Sequence, residues 1–257
     1  MNQDAVNQGS VDQQVLDGIA TITFEHPLSN SLPGKVLNTL ANTIQQLGIQ
    51  DDVNVIILKS AGDRAFCAGA SFDELISIAD FETGKEFFSG FARVINAARK
   101  CPKLIIGRVQ GKAVGGGVGM ASAVDYCMAT KHAAVKLSEL AVGIGPFVVG
   151  PAVARKIGTS AMSELAINAT EWRSAEWAQQ KGLYTEVFES VEEMDAAVDK
   201  LAQQLNKSNP EAMSMLKKIF WEGTEDWDEL LSQRAAMSGK LVLSDFTVNA
   251  INAFKKK

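Results

Sequence analysis

The sequence predicts an α/β fold, in which a core of alternating strands and helices is followed by a helical C-terminal region. Two short β-branched runs, Val53–Leu58 and Leu104–Val109, are bounded by polar or small residues and predict buried strands. Apolar residues recur at helical spacing between these runs, and Pro102 ends the helix that they predict. After Pro146 the residues Ala, Leu, Glu and Gln dominate, which favours helices through the rest of the chain.

The first predicted element is a β-hairpin. Val15–Phe24 alternates apolar and polar residues around Asp17 and Gly18, and an Asp-Gly pair supplies the tight turn that joins two strands. A helix is predicted next, over Pro33–Leu47. The central helix of the core carries its apolar face at Phe87, Phe88, Phe91, Val94, Ile95 and Ala98. Two further core strands are predicted over Val124–Ala129 and Ala133–Leu137.

The C-terminal region is predicted to be helical throughout, because its apolar residues follow the helical period. No internal repeat of fixed length is evident, so a solenoid built from copies is not expected. The helices are predicted near Val148–Ile157, Ser160–Asn168, Ala175–Lys181, Val191–Leu205, Pro210–Glu222, Trp227–Ser238 and Ser244–Lys256.

The composition argues against several classes of function. The 25 Lys and Arg residues are outnumbered by 30 Asp and Glu, and a net charge of -5 disfavours nucleic-acid binding, which needs a basic face. No apolar run reaches the roughly 18 residues of a membrane span, and residues 1–12 lack the order of a signal peptide. The 3 cysteines lie in apolar surroundings, so we expect buried thiols in a cytoplasmic protein rather than disulfides or a metal site.

Two segments of small residues follow predicted strands and mark the candidate site, Arg64–Phe72 and Gln110–Gly119. In the second segment Gly115–Gly117 open an apolar helix, which leaves main-chain amides unobstructed at its positive end. Such amides stabilise negative charge on oxygen, so we expect an anion or oxyanion site. A dinucleotide-binding turn would need Gly or Ala where Met120 or Ser122 stands, and no Gly-Lys-Ser or Gly-Lys-Thr follows for a P-loop.

Three stretches resemble the crotonase, or enoyl-CoA hydratase/isomerase, superfamily: RAFCAGASFDEL, VQGKAVGGGVGMASAVDYCMAT and VKLSELAVGIGP. The first two are similar to its oxyanion segments and the third to a catalytic segment, and the resemblance extends from about Val15 to the C-terminus. It implies a crotonase-like spiral of ββα units with a C-terminal helical region, assembled as a homotrimer or a dimer of trimers. On that basis residues 1–12 are a flexible lead, 13–195 the spiral core, and 196–257 a helical region for oligomerisation and for covering the CoA pocket.

The resemblance also implies the chemistry of the site. The amides of Ala68 and Gly116 would donate to the carbonyl oxygen of an acyl-CoA thioester, and Glu139 matches the second catalytic glutamate of the hydratases. The first glutamate is replaced by Gly119, which can neither accept a proton nor orient water. Because one carboxylate is enough to move a proton, we expect 3-enoyl- to 2-enoyl-CoA isomerisation. A hydratase with another water-positioning group, a different thioester reaction such as hydrolysis or decarboxylation, and a non-catalytic acyl-CoA-binding protein stay open.

Coenzyme A is expected only as part of the substrate, with no tightly bound cofactor and no metal. The resemblance places it beside the loop after the hairpin and beside the first oxyanion segment, with a C-terminal lysine near its phosphates. The acyl tail is expected against residues within Leu75–Phe91. The residues expected to contact the thioester are Leu28, Ser29, Arg64, Phe66, Ala68, Gly69, Ala70, Ser71, Phe72, Gly115, Gly116, Phe254 and Lys257.

Overall fold

The structure is a computed structural model that describes residues 9–255. Its first strand begins at Ser10, so the lead predicted over residues 1–12 extends too far toward the C-terminus. This edge strand is largely exposed, and its polar composition therefore gives little sign of a strand. Residues 1–8 lie outside the described residues.

The predicted hairpin is present. Strands β1 (Ser10–Leu16) and β2 (Ile19–Glu25) pair antiparallel along their whole length. Asp17 and Gly18 form the two-residue turn with φ angles of 48° and 82°, the left-handed geometry that Asp-Gly turns favour.

The remaining strands form one large and two small sheets. They are β3 (Ser31–Leu32), β4 (Val55–Ser60), β5 (Ala65–Cys67), β6 (Gly69–Ala70), β7 (Leu104–Val109), β8 (Lys112–Val114), β9 (Tyr126–Thr130), β10 (Val135–Lys136) and β11 (Glu186–Phe188). The large sheet has the order β1-β2-β4-β7-β9-β11 and is parallel except between β1 and β2. Five of the six residues of β4 are buried, and this explains why its sequence is almost continuously apolar.

Ten helices complete the described part of the chain. They are α1 (Gly34–Gly48), α2 (Phe72–Ser77), α3 (Phe81–Lys100), α4 (Gly116–Ala123), α5 (Gly150–Ile167), α6 (Ala175–Gln180), α7 (Val191–Asn206), α8 (Pro210–Phe220), α9 (Trp227–Leu241) and α10 (Asp245–Lys255). A short 3-10 turn, Glu139–Val142, lies between β10 and α5. The helices predicted over Val148–Ile157 and Ser160–Asn168 are both parts of α5, which is kinked at Gly158, where φ is 77°.

The order of strands and helices brings the candidate site together. A strand of the large sheet is followed by a strand of a small one and then by a helix: β4-β5, β7-β8 and β9-β10 lead to α2, α4 and α5. Strands β5, β8 and β10 lie side by side in parallel in one small sheet. Because the carboxyl ends of parallel strands meet at one edge, the residues that follow these three strands converge.

Helix α7 covers the other face of the large sheet and spans the predicted domain boundary after residue 195. Its buried residues Met194, Val198 and Ala202 pack against strand residues that include Val55 and Ile106. The part of α7 beyond residue 195 therefore packs on the core, while α9 packs along α3.

Candidate active site

A cavity of about 500 Å³ lies where the ends of β5, β8 and β10 converge. This is the size of a typical small-ligand site, and most of its wall is apolar. The predicted site residues that line it are Ala68, Gly69, Ala70, Phe72, Gly115, Gly116 and Glu139.

Five other predicted contact residues do not line this cavity. Leu28 and Arg64 are exposed, and Ser29 lies in a left-handed turn with φ of 55°. The Phe66 side chain is 1% exposed and packs edge-on against the Phe24 ring, so it cannot touch a ligand in the cavity. Ser71 is buried too, and its Oγ accepts a hydrogen bond from Glu74 N–H at 3.3 Å as the N-cap of α2.

Gly116 presents an open backbone amide to the cavity. It is the first residue of α4, where N–H groups lack partners within the helix, and no group in residues 9–255 accepts from it. A Cβ atom on Gly116 would lie 2.2 Å from the Phe91 ring, and one on Gly117 would lie 2.6 Å from the Cys67 carbonyl oxygen. The glycines therefore let α4 approach both α3 and β5, with the open amide at the positive end of the helix.

The amide of Ala68, the second predicted donor, is already engaged. Its N–H donates to the Asn30 carbonyl oxygen at 3.2 Å. Asn30 is buried, has φ of 57°, and its Nδ2 donates to the carbonyl oxygens of Ala61 and Ala65. A thioester oxygen can use Ala68 N–H only by sharing that hydrogen with Asn30 or by displacing the Asn30 carbonyl. No local pattern in the sequence marks Asn30, because its contacts join residues more than 30 positions apart.

Glu139 places a carboxyl group beside the glycine turn. A Cβ atom on Gly115 would lie 3.0 Å from Glu139 Oε1, and only a glycine, with φ of 51°, leaves this space. Oε2 is buried and has no hydrogen-bond partner among the described residues. Burial raises the pKa of Glu139 to about 7, and its own backbone amide opposes the shift only in part. Such a group can both accept and return a proton near neutral pH.

The space where a side chain on Gly119 would lie is filled with hydrocarbon. A Cβ atom there would lie 2.5 Å from Val149 Cγ1 and 2.9 Å from Val149 Cβ, with Ile95 Cδ1 at 3.5 Å. Val149 is 4% exposed and lines the cavity. The resemblance implies that Gly119 stands in place of the first glutamate, and in the structure Val149 fills the space beside it.

The rest of the cavity forms an apolar compartment suited to an acyl chain. As expected, residues within Leu75–Phe91 contribute to it, since Leu75, Phe87, Phe88 and Phe91 all line the wall. Eight residues within 141–149 also line the cavity, and no pattern in the sequence marks them as part of it.

Two predicted contacts near the C-terminus fall outside the description. The side chain of Phe254 and all of Lys257 lie beyond what the structure describes. Among the described residues, no group of three or more His, Cys, Asp or Glu side chains could hold a metal ion. No helix in residues 9–255 is long and apolar enough to cross a membrane.

Known proteins resemble this chain in sequence and in structure. A family model described as "Enoyl-CoA hydratase/isomerase" matches residues 14–256. Human mitochondrial methylglutaconyl-CoA hydratase is 31% identical over 233 residues, which cover 89% of this chain and 68% of that protein. The peroxisomal Delta(3,5)-Delta(2,4)-dienoyl-CoA isomerase of Arabidopsis thaliana is 27% identical over 226 residues, covering 82% of this chain and 80% of that protein.

The fold also has a close counterpart among solved structures. A crystal structure of enoyl-CoA hydratase from Bacillus halodurans matches with a TM-score of 0.87 at 21% identity. The match covers 95% of this chain and 99% of that one. It confirms the predicted fold, a spiral of ββα units followed by helices.

Proposed function

Because this chain belongs to the enoyl-CoA hydratase/isomerase family of the crotonase superfamily, whose substrates are CoA thioesters, we propose that it isomerises a 3-enoyl-CoA to the 2-enoyl-CoA. One observation carries the proposal. Glu139 is the only carboxyl group lining the cavity in residues 9–255, and Val149 fills the space beside Gly119.

Glu139 acts as the base in the first step. Its ionised form takes the proton from C2 of the thioester, and the C2–H electron pair forms a C1=C2 bond while the carbonyl π pair moves to oxygen. The open amide of Gly116 donates to the resulting oxyanion at the positive end of α4. A preorganised donor of this kind stabilises the transition state by about 3 kcal/mol.

Glu139 acts as the acid in the second step. The carbonyl re-forms, the C1=C2 pair becomes the C2=C3 bond, and the former C3=C4 pair takes the proton from Glu139 at C4. The base is thereby restored. A pKa of about 7 suits both steps, because the carboxyl group is neither too weak a base nor too weak an acid at neutral pH.

Hydration of a 2-enoyl-CoA is the second candidate function. The human relative is named a hydratase, and four hydroxyl-bearing residues that line the cavity could hold a water molecule: Ser31, Ser138, Thr170 and Ser238. It is less favoured because water addition in the two-glutamate hydratases needs a second carboxylate, for which Val149 leaves no space beside Gly119.

The test is to supply 3-hexenoyl-CoA and 2-hexenoyl-CoA separately in water enriched in heavy oxygen, following the double bond by absorbance and water addition by mass. We expect the 3-enoyl substrate to isomerise without a gain of heavy oxygen. Rapid hydration of the 2-enoyl substrate without isomerisation of the other would overturn the proposal. Glu139→Gln keeps the shape of the side chain, and it should abolish turnover while binding of hexanoyl-CoA stays within about twofold.

The protein is also proposed to work as a homotrimer or a dimer of trimers. Helix α8 exposes Met215, Leu216, Ile219 and Phe220, an apolar area of the kind that marks protein contacts. Light scattering during size-exclusion chromatography measures the mass directly, and a monomer at micromolar concentration would contradict the assembly. The cytoplasmic location stays a prediction.

A further inference from the structure

Lys136 lies in the wall of the active-site cavity, close to the reaction centre. Its backbone carbonyl accepts a hydrogen bond from Gly115 N–H at 2.9 Å, and Gly115 directly precedes the open amide of Gly116. Most of the wall is apolar, and Lys136 is the only cationic residue that lines it within the described part of the chain. Because Lys136 lines the same cavity as Glu139, it is placed to contact an acyl group bound there.

The lysine is paired with an aromatic ring and a second lysine. The Nζ atoms of Lys136 and Lys112 lie 4.5 and 4.8 Å from the centre of the Trp172 ring. Neither lysine forms a salt bridge within the described part of the chain, whereas Lys100, Lys131 and Lys217 each do. Two like charges against one ring repel each other, and an anion nearby would relieve that repulsion.

We propose that Lys136, with Lys112 behind it, binds a carboxylate at the far end of the acyl group, so that the preferred substrates are CoA thioesters of dicarboxylic acids. The proposal rests on the proposed function only in requiring a CoA thioester in this cavity. The phosphates of coenzyme A are a less suitable anion. The whole pantetheine arm separates them from the thioester, whereas Lys136 lines the same cavity as Glu139 and Gly116.

The test compares two unreactive thioesters that differ only in a terminal carboxylate, hexanoyl-CoA and adipoyl-CoA, by isothermal titration calorimetry. Wild-type protein should bind adipoyl-CoA about tenfold more tightly, the usual gain from a hydrogen-bonded ion pair. Lys136→Met removes the charge and keeps the length of the side chain, and it should remove this preference while leaving hexanoyl-CoA binding within about twofold. Lys200→Met, at an exposed position on α7, is the matched control and should change neither affinity.

Two results would overturn the inference. One is equal affinity of the wild-type protein for both thioesters. The other is an equal loss for both in Lys136→Met, which would assign the lysine to the CoA moiety. Because neither thioester reacts, these readings do not depend on isomerase activity. Failure to isomerise 3-hexenoyl-CoA would overturn the proposed function and leave the binding comparison intact.

Discussion

The contact between Gly119 and Val149 can be measured by a double-mutant cycle. In Gly119→Ala the added methyl group would lie 2.5 Å from Val149 Cγ1, an overpacking that costs about 1–3 kcal/mol. Replacing glycine by alanine inside helix α4 returns about 1 kcal/mol through helix propensity. The net effect should be a loss of roughly 1 kcal/mol in the free energy of unfolding.

Val149→Ala removes the nearest clashing atom. Alone it should cost about 2 kcal/mol, since two buried methyl groups are lost and a small cavity is left. In that background Gly119→Ala should cost less, because only the 2.9 Å approach to the Cβ atom of residue 149 is left, and the coupling between the two changes should be about 1 kcal/mol. Urea unfolding of the four proteins gives this number. An equal cost of Gly119→Ala in both backgrounds would refute the reasoning, because Val149 would then not be what fills the space.

The same two positions test whether a second carboxylate would allow this protein to hydrate a 2-enoyl-CoA. Gly119→Glu combined with Val149→Ala should bring measurable hydration of 2-hexenoyl-CoA, with Gly119→Gln in the same background as the uncharged control. Hydration by the glutamine variant at the same rate would show that space alone, rather than a second carboxylate, admits the reactive water.

Three further outcomes follow from the site. The kcat/KM for isomerisation should rise as the pH increases through about 7, because Glu139 must be ionised to take the first proton; a flat profile from about pH 5 to 9 would remove it as the base. Burial raises the pKa of Glu139 above its ordinary value of 4.5, so the folded protein favours the protonated carboxyl group. The contribution of this carboxyl group to the free energy of unfolding is therefore most favourable below pH 4.5 and is lost as the pH rises to about 7. Glu139→Gln should therefore be up to roughly 3 kcal/mol more stable than wild type at about pH 8, and a variant less stable there in urea unfolding would contradict the cause assigned to the shift. Gly116→Ala should lower kcat about a hundredfold, because a Cβ atom 2.2 Å from the Phe91 ring must displace the amide; unchanged kcat would remove this amide from the reaction.

The sequence predicts those parts of the fold whose signal is local. Strand β4 is buried and continuously apolar, and the Asp17–Gly18 turn has the residues that its φ angles require. Strands of two or three residues, such as β3, β5, β6 and β8, are too short to show a period, and β11 is not predicted either, whereas β10 lies within the strand predicted over Ala133–Leu137. The two helices predicted over Val148–Ile157 and Ser160–Asn168 agree with the structure, because Gly158 between them has non-helical angles, with φ of 77° and ψ of 158°.

The candidate site also has features that the sequence predicts and contacts that it does not. The glycine run and Glu139 are local sequence features, and the structure brings both into one cavity. The engagement of Ala68 N–H by Asn30 joins residues 38 positions apart, and the filling of the Gly119 space by Val149 joins residues 30 apart. Neither contact has a sequence pattern, because each depends on how elements far apart in the chain pack together.

The apolar packing beside Gly119 and the raised pKa of Glu139 fit one physical description of the cavity. A carboxyl group with an unpartnered buried oxygen destabilises the fold when it ionises, and this cost is tolerated where it supports function. A second carboxylate in the same apolar cavity would repel the first and make ionisation of both more costly. With Val149 in that space, Glu139 responds mainly to burial, which brings its pKa near the value that a single group needs in order to take a proton and return it.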